Sequence, residues 1–96
     1  MSLFIVLSRL TDEGAKTVWE KPERILEVNK ELENYGAKVL YQYAMFGEYD
    51  FVNVVEVNDP EKFLKGLINL NSRGTVRTNT FLAMSVEDFI KTMKSK

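Results

Sequence analysis

Two short strand-like runs joined by a turn sit between two helical stripes, and this arrangement limits what the chain can fold into more than any other feature. The runs are "AKVLYQYAM" (37–45) and "FVNVVEV" (51–57), and the turn between them carries "FGEYD" (46–50). Before them, Ile25, Val28, Leu32 and Tyr35 recur at helical spacing, with Gly36 as the stop. After them, Asp59-Pro60 reads as an N-cap followed by N1, opening a wide apolar stripe of Phe63, Leu64, Leu67, Ile68 and Leu70. A single strand is expected at each outer flank. Leu3–Leu10 is a continuous apolar run with β-branched members, as in a central strand, and "TVRTNTFLAM" (75–84) is Thr-rich.

Helical caps complete the pattern. Thr11, followed by Asp12 and Glu13, opens a short first helix that reaches Trp19, and Pro22 breaks it. Ser85, with Asp88 three residues on, opens a last helix whose apolar side is Val86, Phe89, Ile90 and Met93. The order β-α-β-β-α-β plus a terminal helix predicts an α+β, ferredoxin-like domain over residues 1–96. Its four-stranded antiparallel sheet should have the spatial order 4-1-3-2 with the helices on one face.

Composition narrows the chemistry. The 96 residues contain no cysteine and no histidine, so disulfides, thiolate zinc sites and imidazole-based catalysis or metal binding are excluded. No metal and no cofactor are expected. The 13 basic and 14 acidic residues are interspersed, which gives no field that would gather nucleic acid or an anionic membrane. The opening apolar stretch is too short for a membrane span and lacks the basic region of a signal peptide, so a soluble, cytoplasmic protein is expected.

In this topology one end of the sheet collects three segments that are distant in sequence: the end of strand 1, the hairpin turn and the start of strand 4. They bring Arg9 and Arg77 toward Glu48, Tyr49 and Asp50. The favoured reading is an ion-pair cluster that ties the strands together, with Gly47 supplying the turn geometry. The alternatives are a site where the arginines bind an anionic group beside Asp50 or Tyr49, and an oligomer contact. Asp50 is expected to bond either the backbone of its own turn or Arg9 or Arg77.

The sheet face away from the helices is the second candidate. Alternation suggests that Tyr41 and Tyr43, then Phe51, Asn53 and Val55, then Thr78, Thr80 and Leu82 share this open face. Val52, Val54, Phe81 and Ala83 would then face the helices. A bare apolar sheet face is rarely left exposed. Stacking of two such faces in a homo-oligomer, a dimer first, is therefore expected; a ligand pocket floored by Tyr41, Tyr43 and Asn53 is the alternative. Trp19 is expected to cap the core.

Gly47, Tyr49 and Asp50, with the flanking segments "LTDEGAKT" (10–17), "YGAKV" (35–39) and "RGTVRTNT" (73–80), resemble the Gly-Tyr-Asp (GYD) domain family over nearly the whole chain. The resemblance implies a ferredoxin-like fold that associates through its sheet, in the manner of dimeric α/β-barrels. It implies no reaction.

The functional expectation is an oligomeric, non-catalytic module that holds a small molecule at the sheet face. The alternative is a cofactor-independent enzyme of the dimeric α/β-barrel type, with Asp50 or Glu48 as base and a pocket over the sheet. RNA recognition on the same topology is disfavoured, because "FVNVVEV" carries neither basic residues nor a glycine-aromatic signature.

Overall fold

The computed structural model describes every residue from Met1 to Lys96. Its elements are β1 (Ser2–Leu10), α1 (Asp12–Glu20), α2 (Arg24–Glu33), β2 (Ala37–Ala44), β3 (Phe51–Val57), α3 (Pro60–Ser72), β4 (Val76–Ala83) and α4 (Val86–Lys94). The strands lie in the order β2-β3-β1-β4 and every neighbouring pair is antiparallel. This is the expected 4-1-3-2 order read from the opposite edge. The architecture is the ferredoxin-like α+β fold, with two helices, α1 and α2, in the first crossover and α4 added after β4.

Local chemistry sets the helix starts. The Thr11 hydroxyl accepts from the Gly14 N–H (3.2 Å) and donates to the Gly74 carbonyl (2.5 Å), so one side chain ties the start of α1 to the connection between α3 and β4. A Cβ on Gly14 would stand 1.9 Å from the Thr75 carbonyl oxygen, so only glycine allows the helix to lie this close. Asp59 and Ser85 cap α3 and α4, accepting from the Lys62 and Asp88 N–H groups at 3.2 and 3.0 Å.

The core lies between one sheet face and the helices. Val6, Leu32, Ala37, Val55, Val57, Phe63 and Leu67 are buried there, and Phe4 packs on Phe63 with ring centroids 5.4 Å apart. Only 11 of the 96 residues are buried, because the second sheet face has no covering layer.

The assignment of residues to faces departs from expectation. Phe4, Val6 and Ser8 of β1 pair with Val55, Asn53 and Phe51 on one side and with Leu82, Thr80 and Thr78 on the other. Val6, Ser8, Asn53 and Val55 are buried, so this whole set faces the helices. Asn53, Thr78 and Thr80 therefore lie on the covered face, not the open one. Val52, Val54, Phe81 and Ala83 lie on the open face, not under the helices.

Tyr41 and Tyr43 are on the open face as expected, but only because β2 changes phase. Val39 pairs with Val55, and Tyr41 then pairs with Val54, so a bulge at Leu40 sends Val39 and Tyr41 to opposite sides. Trp19 does not cap the core; it is 90% exposed on α1.

Candidate functional site

At the sheet end, the hairpin turn is held by β1. The Asp50 N–H donates to the Ser8 carbonyl (2.9 Å), and Asp50 Oδ2 accepts from the Leu10 N–H (2.7 Å). Asp50 thus extends the β1–β3 ladder beyond Phe51 and secures the last residue of β1 just before the Thr11 cap. Its partner is neither its own turn nor an arginine, which corrects the expectation from sequence. Gly47 takes φ +106°, a conformation other residues rarely adopt, and lets the turn come back to β1.

Arg9 grips the same turn. Its Nε donates to the Glu48 carbonyl (3.0 Å), one terminal nitrogen donates to Glu48 Oε1 (3.1 Å), and its guanidinium lies 5.3 Å from the Tyr49 ring centroid. The Tyr49 hydroxyl accepts from the Asn79 side-chain amide at 2.7 Å. Arg77 does not join this group; it donates to the Asn71 carbonyl (2.9 Å) at the end of α3 and to its own Val76 carbonyl. Glu48 Oε1 and Asp50 Oδ2 are therefore committed to holding the turn, while Arg9 and Arg77, opposite each other in the β1–β4 register, bond to different partners.

The open sheet face is an apolar surface across all four strands. Leu3, Ile5 and Leu7 form its centre, flanked by Val52 and Val54, with Tyr41, Tyr43 and Phe81 toward the two edges. The rim is polar: Lys38, Glu56, Arg9 and Asn79. Tyr41, Tyr43 and Phe81 are each more than half exposed.

Helix α4 adds a second uncovered surface. Ser85 starts it cleanly, yet Val86, Phe89, Ile90 and Met93 on its apolar side are 46 to 71% exposed, and none of its residues is buried. It packs substantially on no other element. The radius of gyration, 14.6 Å, exceeds the value of about 12–13 Å for a compact chain of this length, as a projecting helix requires.

Beneath the helices there is a cavity of about 100 Å³, bounded by α1, α2 and α3 above and by the sheet below. Asn53 and Thr78 open into it, as do Ser8 and Gln42. Gln42 exchanges two hydrogen bonds with Asn29, at 2.8 and 3.2 Å. Thr78 is bonded by Asn71 through both its N–H and its hydroxyl, at 3.2 and 3.0 Å.

The charged groups with displaced titration lie elsewhere. Hydrogen bonds from Arg24 and Lys21 hold the exposed Glu27 carboxyl below the usual carboxylate range, and the hydrogen bond to Glu31 raises Arg73.

The family model of the GYD domain matches residues 4–93. This chain belongs to the GYD domain family. Gly47, Tyr49 and Asp50 all lie in the hairpin turn that Asp50 locks onto β1.

Similarity to known proteins extends to a protein of Thermus thermophilus named "Glutamine synthetase and cystathionine beta-lyase binding protein". The two are 52% identical over 95 residues, which cover 98% of this chain and all of that protein. Two crystal structures share the fold at low identity. One is another protein structure from Thermus thermophilus (24% identical, TM-score 0.52, covering 88% of this chain and 95% of that one). The other is FFRP-DM1 (22% identical, TM-score 0.55, covering 88% and 100%).

Several residues of this GYD domain escaped the sequence reading. Asn79 anchors Tyr49, and the alternation of "RTNT" marks it as sharing a face with Arg77. Phe46, fully exposed at the hairpin tip, is an aromatic residue where turns ordinarily carry polar ones. Asn29 and Gln42 become partners only once α2 lies over β2. No helix is long and apolar enough to cross a membrane.

Proposed function

We propose that this GYD domain is a non-catalytic docking module that self-associates through its open sheet face and binds a second protein with what that assembly leaves exposed. The observation that carries the reading is the apolar surface from Tyr41 to Phe81, uncovered and rimmed by polar groups. That is the anatomy of a protein interface, with aromatic anchors inside a polar border. The amphipathic α4 fits the same reading, since its apolar side has no partner in its own chain and a second copy supplies one.

The relative's printed name supports a protein partner, and enzymes of the glutamine synthetase or cystathionine beta-lyase kind are the first to test. Trp19 and Phe46 project outside the sheet face and offer aromatic anchors for such a partner. The enzyme alternative lacks a base where it needs one. Its candidate bases, the turn carboxylates Glu48 and Asp50, are engaged in holding the hairpin turn onto β1.

Sedimentation velocity at micromolar concentration tests the proposal, with Tyr43→Lys beside the wild type and each of the two purified enzymes added in turn. A dimer that Tyr43→Lys dissociates, and that co-sediments with one of the enzymes, is expected. A monomeric wild type would overturn self-association, and sedimentation apart from both enzymes would overturn docking on them.

A further inference from the structure

Helix α4 is built to be a helix and is left without a surface to lie on. Ser85 caps it through the Asp88 N–H, and Met84 and Phe89 occupy the two positions where apolar residues pin the start of a helix. Val86, Phe89, Ile90 and Met93 follow the i, i+3, i+4, i+7 spacing of one packed stripe, and all four stay exposed. A helix of nine residues is marginal in water on its own and draws its stability from burying such a stripe. The chain supplies the stripe and not its cover.

Charges beside the stripe select the cover. Glu87 and Asp88 lie in the first turn of α4, and Lys91 and Lys94 in the last. Glu87 and Lys94 are seven residues apart, nearly two full turns, so they stand on the same flank of the stripe at its opposite ends. When two copies of such a helix pack antiparallel, each flank faces the same flank of the other. Glu87 of each copy then meets Lys94 of the other. The apolar residues match in the same register, Val86 level with Met93 of the second copy and Phe89 level with Ile90. Parallel packing would instead lay acidic turn beside acidic turn and basic beside basic, with the two macrodipoles aligned.

We infer that α4 pairs antiparallel with the α4 of a second copy of this chain, across a two-fold axis. The stripe supplies the attraction; the exposed Glu87–Lys94 pairs set direction and register, since such pairs contribute little energy. This pairing rests on the self-association proposed above. A stable interface takes about 800 Å² from each partner, and four side chains of a nine-residue helix provide only part of that. The open sheet face provides the rest.

The chain has no cysteine, so disulfide trapping reads the pairing without background. Val86→Cys and Met93→Cys are made singly and together in the full chain, which is then oxidised with diamide. Within one helix the two positions are about 10 Å apart along the axis, too far to bond to each other. The doubly substituted chain should become mostly covalent dimer, and each singly substituted chain should give at least several-fold less. Singly substituted chains that cross-link as well as the double one would overturn the antiparallel pairing. A second measurement needs no variant: in the wild type the Ile90 methyls should be shielded from a soluble spin label. A wild type that sediments as a dimer with Ile90 exposed, or a double variant that sediments as a dimer and does not cross-link, would overturn the pairing and leave the sheet-face association standing. A monomeric wild type would overturn both.

Discussion

On β1, Phe4, Val6 and Ser8 point under the helices, while Leu3, Ile5 and Leu7 point away from them. The set that points away is the more apolar of the two, since the covered one includes Ser8, and β3 offers valines to both sides, Val55 and Val57 to one and Val52 and Val54 to the other. Yet the first side is sealed by Leu32, Phe63 and Leu67 and the second by nothing in the chain. Hydrophobicity alone therefore does not decide which face of such a strand is core. What decides is where the crossover helices land, and the apolar face they leave is then available for another protein.

Mutations on the two faces should behave differently. The largest effect belongs to the covered side. Phe63→Ala empties the centre of the core and should cost about 3–5 kcal/mol in chemical denaturation. Tyr43→Lys, by contrast, should leave the unfolding midpoint of the isolated chain nearly unchanged while it dissolves the assembly. A comparable loss from both would erase the distinction.

The hairpin lock should come next. Asp50→Ala strands the Leu10 N–H at the end of β1, and thermal and denaturant melts should show a loss of about 1–3 kcal/mol. Asp50→Asn keeps an acceptor and should cost less. An Asp50→Ala protein as stable as the wild type would mean that Arg9 and the backbone bond from the Asp50 N–H to Ser8 hold the turn without the carboxylate.

Arg9→Ala removes the Glu48 pair and the contact with the Tyr49 ring on an exposed part of the sheet end. It should cost no more than about 1 kcal/mol, and added salt should shrink the difference.

The smallest effect is a pH dependence on the helical side. The Glu27 carboxyl is held below its ordinary range by Arg24 and Lys21. A carboxyl depressed in the folded state stabilises it above the unfolded pKa, and that contribution fades as pH falls through the folded value. Melts of the wild type and Glu27→Gln should therefore converge in acid and differ slightly at neutral pH. A gap that widens on acidification would reverse the assigned sign.

Much of the fold was legible because its signals are local. Thr11, Asp59 and Ser85 cap the helices they were expected to cap, Pro22 separates α1 from α2, and the strand order follows from connection rules. The faces were not legible, for three physical reasons. The bulge at Leu40 breaks the two-residue period of β2, so Val39 does not share a face with Tyr41. On β3 both phases are apolar, and Asn53, polar and so expected outside, is inside beside a cavity. Glu56 was the better guide, since with Arg77 and Asn79 it marks the open side.

At the site, the pairing of Arg9 with Glu48 was legible as complementary charge at one sheet end. The partner of Asp50 was not, because a backbone N–H leaves no trace in a sequence. The stripe of α4 foretold an apolar side, and nothing in a single chain's pattern says whether its own fold will cover it.

Solvent paramagnetic relaxation measured on methyl groups, with a soluble spin label, tests most directly whether the open face is covered by protein in solution. The methyls of Ile5, Leu7 and Val54 should be shielded nearly as well as those of Val55 in the core, and Tyr43→Lys should expose them while leaving Val55 shielded. Ile5, Leu7 and Val54 methyls in the wild type that relax no less than those of Tyr43→Lys would contradict that coverage.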